Sequence, residues 1–328
     1  MLLYLIMEEK YLLATRDGWG DALVELGKTD KRVVVLTADL KESTRVERFA
    51  GVFPERFVEC GVAEQNMMGI AAGLAAAGKI PFVSSYAVFS PGRNWDQLRV
   101  SVCYSNLPVV VGGHHTGISV GPDGATHQGL EDVAITRVLP NIKVVVPADY
   151  EETRKAVRAA VDAGGPVYIR LTKQETPMIS KKESKFKIGE AEVIWNSAEG
   201  SGLSPQAAVI GCGPILYECL LAAKELEGEG IGVKVVNNHT VKPLDEETII
   251  TVAKECGAVV TAEDHQIAGG MGSAVAEFLI SNCPIPMEFV GVKDSFGESG
   301  TPGELAVKYG LKAVNIVRAV KKVIERKE

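Results

Sequence analysis

The sequence predicts an α/β protein made of two doubly wound domains, the second smaller than the first. Short β-branched runs alternate with stretches whose apolar residues recur at three- and four-residue spacing, the pattern of a parallel sheet covered on both faces. A polar stretch near the middle interrupts this alternation once. The length, 328 residues with 46% hydrophobic and 23% charged side chains, suffices for about two packed cores.

In the first domain, 10–173, the runs 33–36, 81–84, 108–112, 143–146 and 167–170 are short and apolar enough for buried strands. The segments 17–26, 63–77, 93–104 and 150–163 carry helical spacing, and Gly78 and Gly164 stand where helices stop. Residues 174–187 are polar and aperiodic, with Lys181, Lys182, Glu183, Ser184 and Lys185 in succession, and read as a linker. The second domain, 188–328, resumes the alternation with strands at 207–211, 232–237, 258–262 and 287–291 and helices at 215–227, 245–255, 272–280 and 313–325.

Lys and Arg number 35 against 42 Asp and Glu, a net charge of −7 without a long basic run, so neither nucleic acid nor an anionic membrane has an electrostatic footprint here. Six cysteines without CxxC spacing fit neither a zinc knot nor a disulfide scaffold, and point to reduced thiols and a cytoplasmic setting. The apolar start, Met1 to Met7, is too short for a secretory signal and lacks a basic flank; it reads as a frayed or non-native extension. No stretch approaches the roughly 20 apolar residues of a membrane span.

The densest polar cluster runs from Gly112 to Gln128 and holds three of the five histidines, His114, His115 and His127, together with Asp123. It follows a strand, at the carboxyl end where open α/β sheets bind ligands. Imidazoles there can exchange protons near neutral pH. A solvated, turn-rich loop is the plainer reading, and zinc lacks both the spacing and a cysteine. Glu64 opens an otherwise small and apolar helix. A first-turn carboxylate is stabilised by the helix dipole alone, but tight packing of the residues after it would bury the acid, raise its pKa and make it a proton donor. Asp39 and Ser43 lie in an acidic, hydroxyl-bearing loop after a strand, which an Asx turn explains equally well. Arg16 and Lys173 default to surface charges, and Tyr86 and Phe89 to core. Gly269-Gly-Met-Gly272 lacks the order G-x-G-x-x-G, so close backbone packing explains it better than a dinucleotide.

In order along the chain, Ala14-Thr-Arg16, Ala38-Asp-Leu-Lys-Glu-Ser43, Cys60-Gly-Val-Ala-Glu-Gln-Asn-Met67, Ser84-Ser-Tyr-Ala-Val-Phe89, Trp95-Asp-Gln-Leu-Arg99, Gly121-Pro-Asp-Gly-Ala-Thr-His-Gln128, Leu139-Pro-Asn141, Ala262-Glu-Asp-His265 and Asp294-Ser-Phe-Gly-Glu-Ser-Gly300 resemble the transketolase family. The resemblance spans nearly the whole chain, from about Tyr11 onward. It implies a first domain that binds the pyrimidine of thiamine diphosphate and a second that is the family's C-terminal domain. Glu64 is then expected to hydrogen-bond N1′ of the aminopyrimidine as a neutral carboxyl, favouring the imino tautomer that takes the proton from thiazolium C2. Tyr86 and Phe89 would stack around the pyrimidine, and Asp39 would lie at the cofactor site. For the substrate, the resemblance implies that His115 and His127 contact sugar hydroxyls and carbonyl, that Asp123 reads a hydroxyl's configuration, and that Arg16, Ser43 and Lys173 clamp a sugar phosphate. Lys173 stands where many members have Arg, which keeps the charge and loses the bidentate fork. The implied catalytic set is Glu64, His115 and His127, with no metal ligand.

The family's Gly-Asp-Gly motif followed by Asn, which holds magnesium and the diphosphate, has no counterpart: Gly20-Asp-Ala22 falls within a helix and Pro122-Asp-Gly124 within the sugar loop. The resemblance therefore implies half of an active site. The expectation is the C-terminal subunit of a split transketolase, moving a two-carbon ketol unit from a ketose phosphate to an aldose phosphate. A separate N-terminal subunit would hold the diphosphate and Mg2+ or another divalent cation, in an α2β2 heterotetramer. Two other readings stand beside it. The beta subunit of a 2-oxo acid dehydrogenase shares the two-domain plan and the need for an alpha partner, but has no use for Asp123 or a phosphate clamp. A non-catalytic interaction subunit could keep the same fold without the chemistry.

Overall fold

A computed structural model describes residues 12–327. The Met1–Met7 extension, and residues 10 and 11 of the expected first domain, lie outside the described residues.

At the start of the described chain, β1 (Leu12–Ala14) pairs antiparallel with β8 (Glu175–Pro177). The first large sheet contains β2 (Val33–Thr37), β3 (Phe57–Glu59), β4 (Ile80–Tyr86), β5 (Val110–His114), β6 (Lys143–Val145) and β7 (Val167–Arg170), mutually parallel in the order β6-β7-β5-β4-β2-β3. Every residue of β2, β4, β5 and β7 is buried, which is why these segments read as unbroken apolar runs rather than alternating ones. The helices Thr15–Thr29 and Tyr150–Val161 cover one face, the second beginning at Asp149, whose side chain accepts from the Glu152 N–H at 2.9 Å. The helix Glu64–Ala76 covers the other face.

The second sheet holds β10 (Pro205–Gly211), β11 (Gly232–Asn237), β13 (Val259–Gln266) and β14 (Met287–Val292) in parallel, with β9 (Glu192–Asn196) antiparallel at the β11 edge. Helices Leu216–Gly228 and Ala313–Glu325 pack on one face, and Glu246–Cys256 and Met271–Asn282 on the other. Among the described residues no helix is long and apolar enough to cross a membrane, and all six cysteines are free thiols.

Three expectations are corrected. The segment 174–187 is not a free linker: β8 lies within it, and Asp149 Oδ2 accepts from the N–H groups of Ile179 and Ser180 at 2.8 and 2.6 Å. Its order comes from hydrogen bonds to distant residues, which apolar periodicity does not register. The first sheet is not completed by the first half of the chain alone. β12 (Thr240–Lys242), from the second half, pairs antiparallel with β6 and covers what would otherwise be an open edge. Finally, the expected helix 93–104 is irregular, a turn at Trp95–Gln97 running into a π-helical stretch, Leu98–Tyr104. Arg93 and Asn94 are drawn out of it by side-chain bonds to Glu64 and Ser90.

The glycine cluster 269–272 is explained from inside the molecule. The buried Glu263 carboxylate accepts from the N–H groups of Met271 and Gly272 at 2.7 and 2.9 Å, at the start of the helix Met271–Asn282. A Cβ on Gly270 would lie 2.2 Å from the Glu263 carboxylate. The protein's own anion therefore occupies the place a phosphate takes in a nucleotide loop.

A second buried acid joins the domains. Glu152 Oε2 accepts from the Ala148 N–H at 2.6 Å, and Oε1 accepts from Asn237 Nδ2 at 2.7 Å, at the end of β11. Burial, reinforced by the charge of Asp149, pushes Glu152 up to about 8 from an ordinary 4.5. The folded state thus keeps a proton that the unfolded chain gives up across that window. The Glu152 contribution to stability should therefore fall as pH rises from about 4.5 to 8 and level off above it. In thermal unfolding, the stability of the parent relative to Glu152→Gln should fall as pH rises across this range; a difference that stays constant with pH would remove Glu152 as a titrating group.

Candidate active site

The carboxyl ends of β4, β5 and β7 open at one edge of the first sheet. Across β4 and β5, Ser85 faces Gly113 and Tyr86 faces His114; across β5 and β7, Gly113 faces Arg170. The paired glycines here answer to close approach. A Cβ on Gly112 would lie 2.7 Å from the Trp19 ring, and one on Gly113 would lie 2.1 Å from the Tyr168 hydroxyl. The chain then leaves the strand at His115 with φ 54°, a left-handed backbone that non-glycine residues adopt only where the surroundings hold them.

Four rings gather at this exit. His115 stacks on Tyr86 with centroids 3.8 Å apart, and Phe89 lies nearly parallel to Tyr86 at 6.0 Å. His127 stands edge-on to both, at 5.9 and 5.7 Å. Burial first, then the charges of Arg16 and Lys173, lowers His115 to about 3, so its imidazole is neutral at physiological pH. Fully buried His114, edge-on to Trp19 at 5.6 Å, is held well below its ordinary value by the same desolvation. Neither of its ring nitrogens has a hydrogen-bond partner among the described residues. His127 Nδ1 lies 2.9 Å from Thr126 Oγ1.

Glu64 is 2% exposed at the first position of its helix. Its Oε2 accepts from Arg93 Nη1 at 2.7 Å, and the Arg93 guanidinium lies 4.7 Å over the Phe89 ring. Burial alone leads to the expectation of a neutral acid; in this chain the carboxyl meets a cation instead. The Arg93 side chain is 48% exposed, so the pair sits where the cleft reaches solvent. Nearby Asn94 donates to the Glu64 carbonyl at 3.2 Å. Ser85 Oγ and Asn94 Oδ1 are buried without a hydrogen-bond partner among the described residues.

A cationic group borders the rings on the other side. Arg16 donates through Nη1 to the Ser43 carbonyl at 3.0 Å, and burial followed by repulsion from Arg45 lowers its pKa. Lys173 Nζ lies 3.5 Å from Asp123 Oδ2. The charges of Arg16, Lys173 and Arg45 each help to lower His115. Arg45 adopts φ 65° and is tied to Asp17 Oδ1 at 2.9 Å. Contacts thus join Glu64, Phe89, Tyr86, His115 and His127 into one group, Arg16 with Ser43 into a second and Lys173 with Asp123 into a third, and the charges of Arg16 and Lys173 act on His115. Asp39 follows β2 and is exposed, with φ 59°, and its N–H donates to Glu59 Oε1 at 2.8 Å. Arg45 and Arg93 are additions that sequence reasoning missed. Their only signals, two residues beyond Ser43 and four beyond Phe89, carry no meaning until the loops are folded.

Such a surface can bind an anion at one end, hold a flat ring at the other, and offer neutral imidazole nitrogens between them. Two family models match the chain, the transketolase pyrimidine binding domain over residues 12–178 and the transketolase C-terminal domain over 201–316. A 6-deoxy-6-sulfo-D-fructose transketolase component from Clostridium sp. strain MSTE9 is 44% identical over 321 residues, covering 98% of this chain and 97% of that protein. One component of the apulose-4-phosphate transketolase of Phocaeicola vulgatus is 34% identical over 316 residues, with 96% and 99% covered. Among solved structures, a split-gene transketolase in an inactive beta4 tetramer matches with a TM-score of 0.89 and 46% identity, over 96% of this chain and 100% of that one.

The electrostatics of the cleft yield a direct test. His115 is lowered to about 3, His239 and His265 to about 4, and His114 well below its ordinary value. In NMR spectra of the imidazole protons, these four rings should show no titration between about pH 5.5 and 8. A midpoint near neutrality for His115 would mean that the ring is not enclosed as described.

Proposed function

The chain belongs to the transketolase family, and from that premise we propose that it is the C-terminal subunit of a two-component transketolase. In this reading it transfers a two-carbon ketol unit from a ketose phosphate to an aldose phosphate, together with an N-terminal subunit that holds the diphosphate and a divalent cation such as Mg2+. The observation that carries the reading is the cluster of the Tyr86, Phe89, His115 and His127 rings, linked through Arg93 to Glu64 and acted on by the charges of Arg16, Arg45 and Lys173. The matches to subunits of nearly the same length support a divided enzyme, for which we propose an α2β2 assembly.

The residues present fit an aminopyrimidine. Two parallel aromatic rings offer apolar walls, Ser85 Oγ and Asn94 Oδ1 are buried without a hydrogen-bond partner among the described residues, and Asn94 Nδ2 donates to the Glu64 backbone carbonyl. When bound, thiamine diphosphate supplies a nucleophilic carbon that takes up the ketol unit from one sugar and releases it to another. Glu64 holds a proton at the ring nitrogen through its carboxyl oxygen. The Arg93 ion pair competes for that carboxyl, and Arg93, being half-exposed, is free to swing away as the ring docks. Neutral His115 donates or accepts a single hydrogen bond without adding charge to the cleft. His127 Nε2 handles the proton of the sugar oxygen, and Asp123 reads a neighbouring hydroxyl. The sugar's terminal anion displaces Asp123 from Lys173, which then joins Arg16, Arg45 and Ser43 around it.

Two experiments test this. With thiamine diphosphate, magnesium and sugar phosphates, the purified chain should transfer no ketol unit until the N-terminal subunit is added; turnover by the chain alone would overturn the divided site. In the complete enzyme, Glu64→Gln should slow cofactor C2–H exchange by roughly 10²–10⁴-fold, whereas His127→Ala should leave that exchange intact and impair only the sugar steps. Exchange unchanged by Glu64→Gln would remove Glu64 from the chemistry.

A further inference from the structure

The loop carrying Asp123 and His127 is closed at its neck within the first domain, where Thr116 bridges Gly129 and the Gly117 N–H donates to the Gly129 carbonyl at 2.7 Å. Beyond the neck it is also held from the other domain. Asp264, on β13, accepts from the Ile118 N–H at 3.0 Å. The turn that starts there, Ile118–Asp123, has no side-chain cap of its own, because Gly117 occupies the capping position. Asp264 supplies that cap from across the domain boundary.

The fit leaves no slack. A Cβ on Gly117, whose φ is 74°, would lie 1.9 Å from Asp264 Oδ2. A second tie runs from Gln128 Nε2 to the Glu298 carbonyl at 3.0 Å, with weaker bonds back to the carbonyls of Ile118 and Gly121. Asp264 is itself held by its carbonyl, which accepts from Arg170 Nη2 at 2.8 Å.

We infer that Asp264 is a positioning residue for sugar recognition: its carboxylate fixes the backbone at Ile118, the start of the turn, and through that backbone sets where Asp123 and His127 stand. The inference rests on the ketol-transfer reading above and gives the second domain a task in it. That domain acts on the sugar and leaves cofactor activation at Glu64 untouched, since none of its contacts to the loop involves the Glu64–Arg93 pair.

The test uses the complete two-subunit enzyme carrying Asp264→Ala, Asp264→Asn or Gly117→Ala. Asp264→Ala removes both acceptor oxygens, and Gly117→Ala breaks the same contact from the loop side. Each should raise KM for the ketose phosphate by roughly tenfold or more with a smaller change in kcat and unaltered cofactor C2–H exchange. Asp264→Asn keeps one acceptor oxygen and should restore part of the affinity. Hydrogen exchange at the Ile118 amide should quicken in Asp264→Ala relative to amides of β13. Unchanged KM despite a released amide, or C2–H exchange lost in step with transfer, would overturn the positioning role. A parent enzyme lacking C2–H exchange and ketol transfer would instead defeat the transketolase reading, with the amide measurement still reporting whether Asp264 holds the loop.

Discussion

The Arg170 guanidinium lies at the carboxyl end of β7, 4% exposed, and a cation so enclosed is tolerated only if its hydrogens are taken up by fixed acceptors. Asp132 Oδ2 accepts from Nε at 2.9 Å, while Nη2 donates to the Gly129 carbonyl at 3.1 Å and to the Asp264 carbonyl at 2.8 Å. These acceptors belong to the sheet's covering helix Asp132–Arg137, the neck of the sugar loop and the second domain. One side chain therefore sets the separation of three parts that must agree before a cleft exists. Removing one member of such a pair leaves a buried charge uncompensated, which typically costs about 3–5 kcal/mol.

The surroundings of that pair are polar yet rigid. Tyr168 donates its hydroxyl to Asp132 Oδ2 at 2.6 Å. His265 Nδ1 lies 2.7 Å from the Gln266 carbonyl, and its Nε2 is 3.2 Å from the Val133 N–H, so the proton resides on Nδ1 and the ring is neutral. Burial lowers His265 to about 4, consistent with that tautomer. A junction built from directed hydrogen bonds has one good geometry, whereas an apolar interface can slide. The cleft benefits because its anion-binding end and its ring-binding end are borne on different strands.

Most of the fold was legible in the sequence. Strands such as Val33–Thr37 are buried on both faces, and their uniform apolarity is a local property of the residues themselves. The helix Glu64–Ala76 was visible for a similar reason, its small residues and the stop at Gly78 both being encoded in a row. The short pieces β3, β8 and β12 were not, because each is held by pairing with a distant segment rather than by its own pattern. The irregular stretch after Arg93 was hidden for the same reason.

The candidate site divides along that line. By its order of residues alone the chain determined which groups were available: the acid at Glu64, the aromatic pair, the histidine-bearing loop and the cations, since chemical type and position relative to strand ends are written locally. Only the tertiary structure decided their partners. It set Arg93 on Glu64, brought Arg45 to Arg16 and ran Asp264 under the loop, because these meetings depend on where two sheets stop relative to one another. A linear pattern carries direction and spacing along one segment; it holds no measure of distance between segments that meet only after folding.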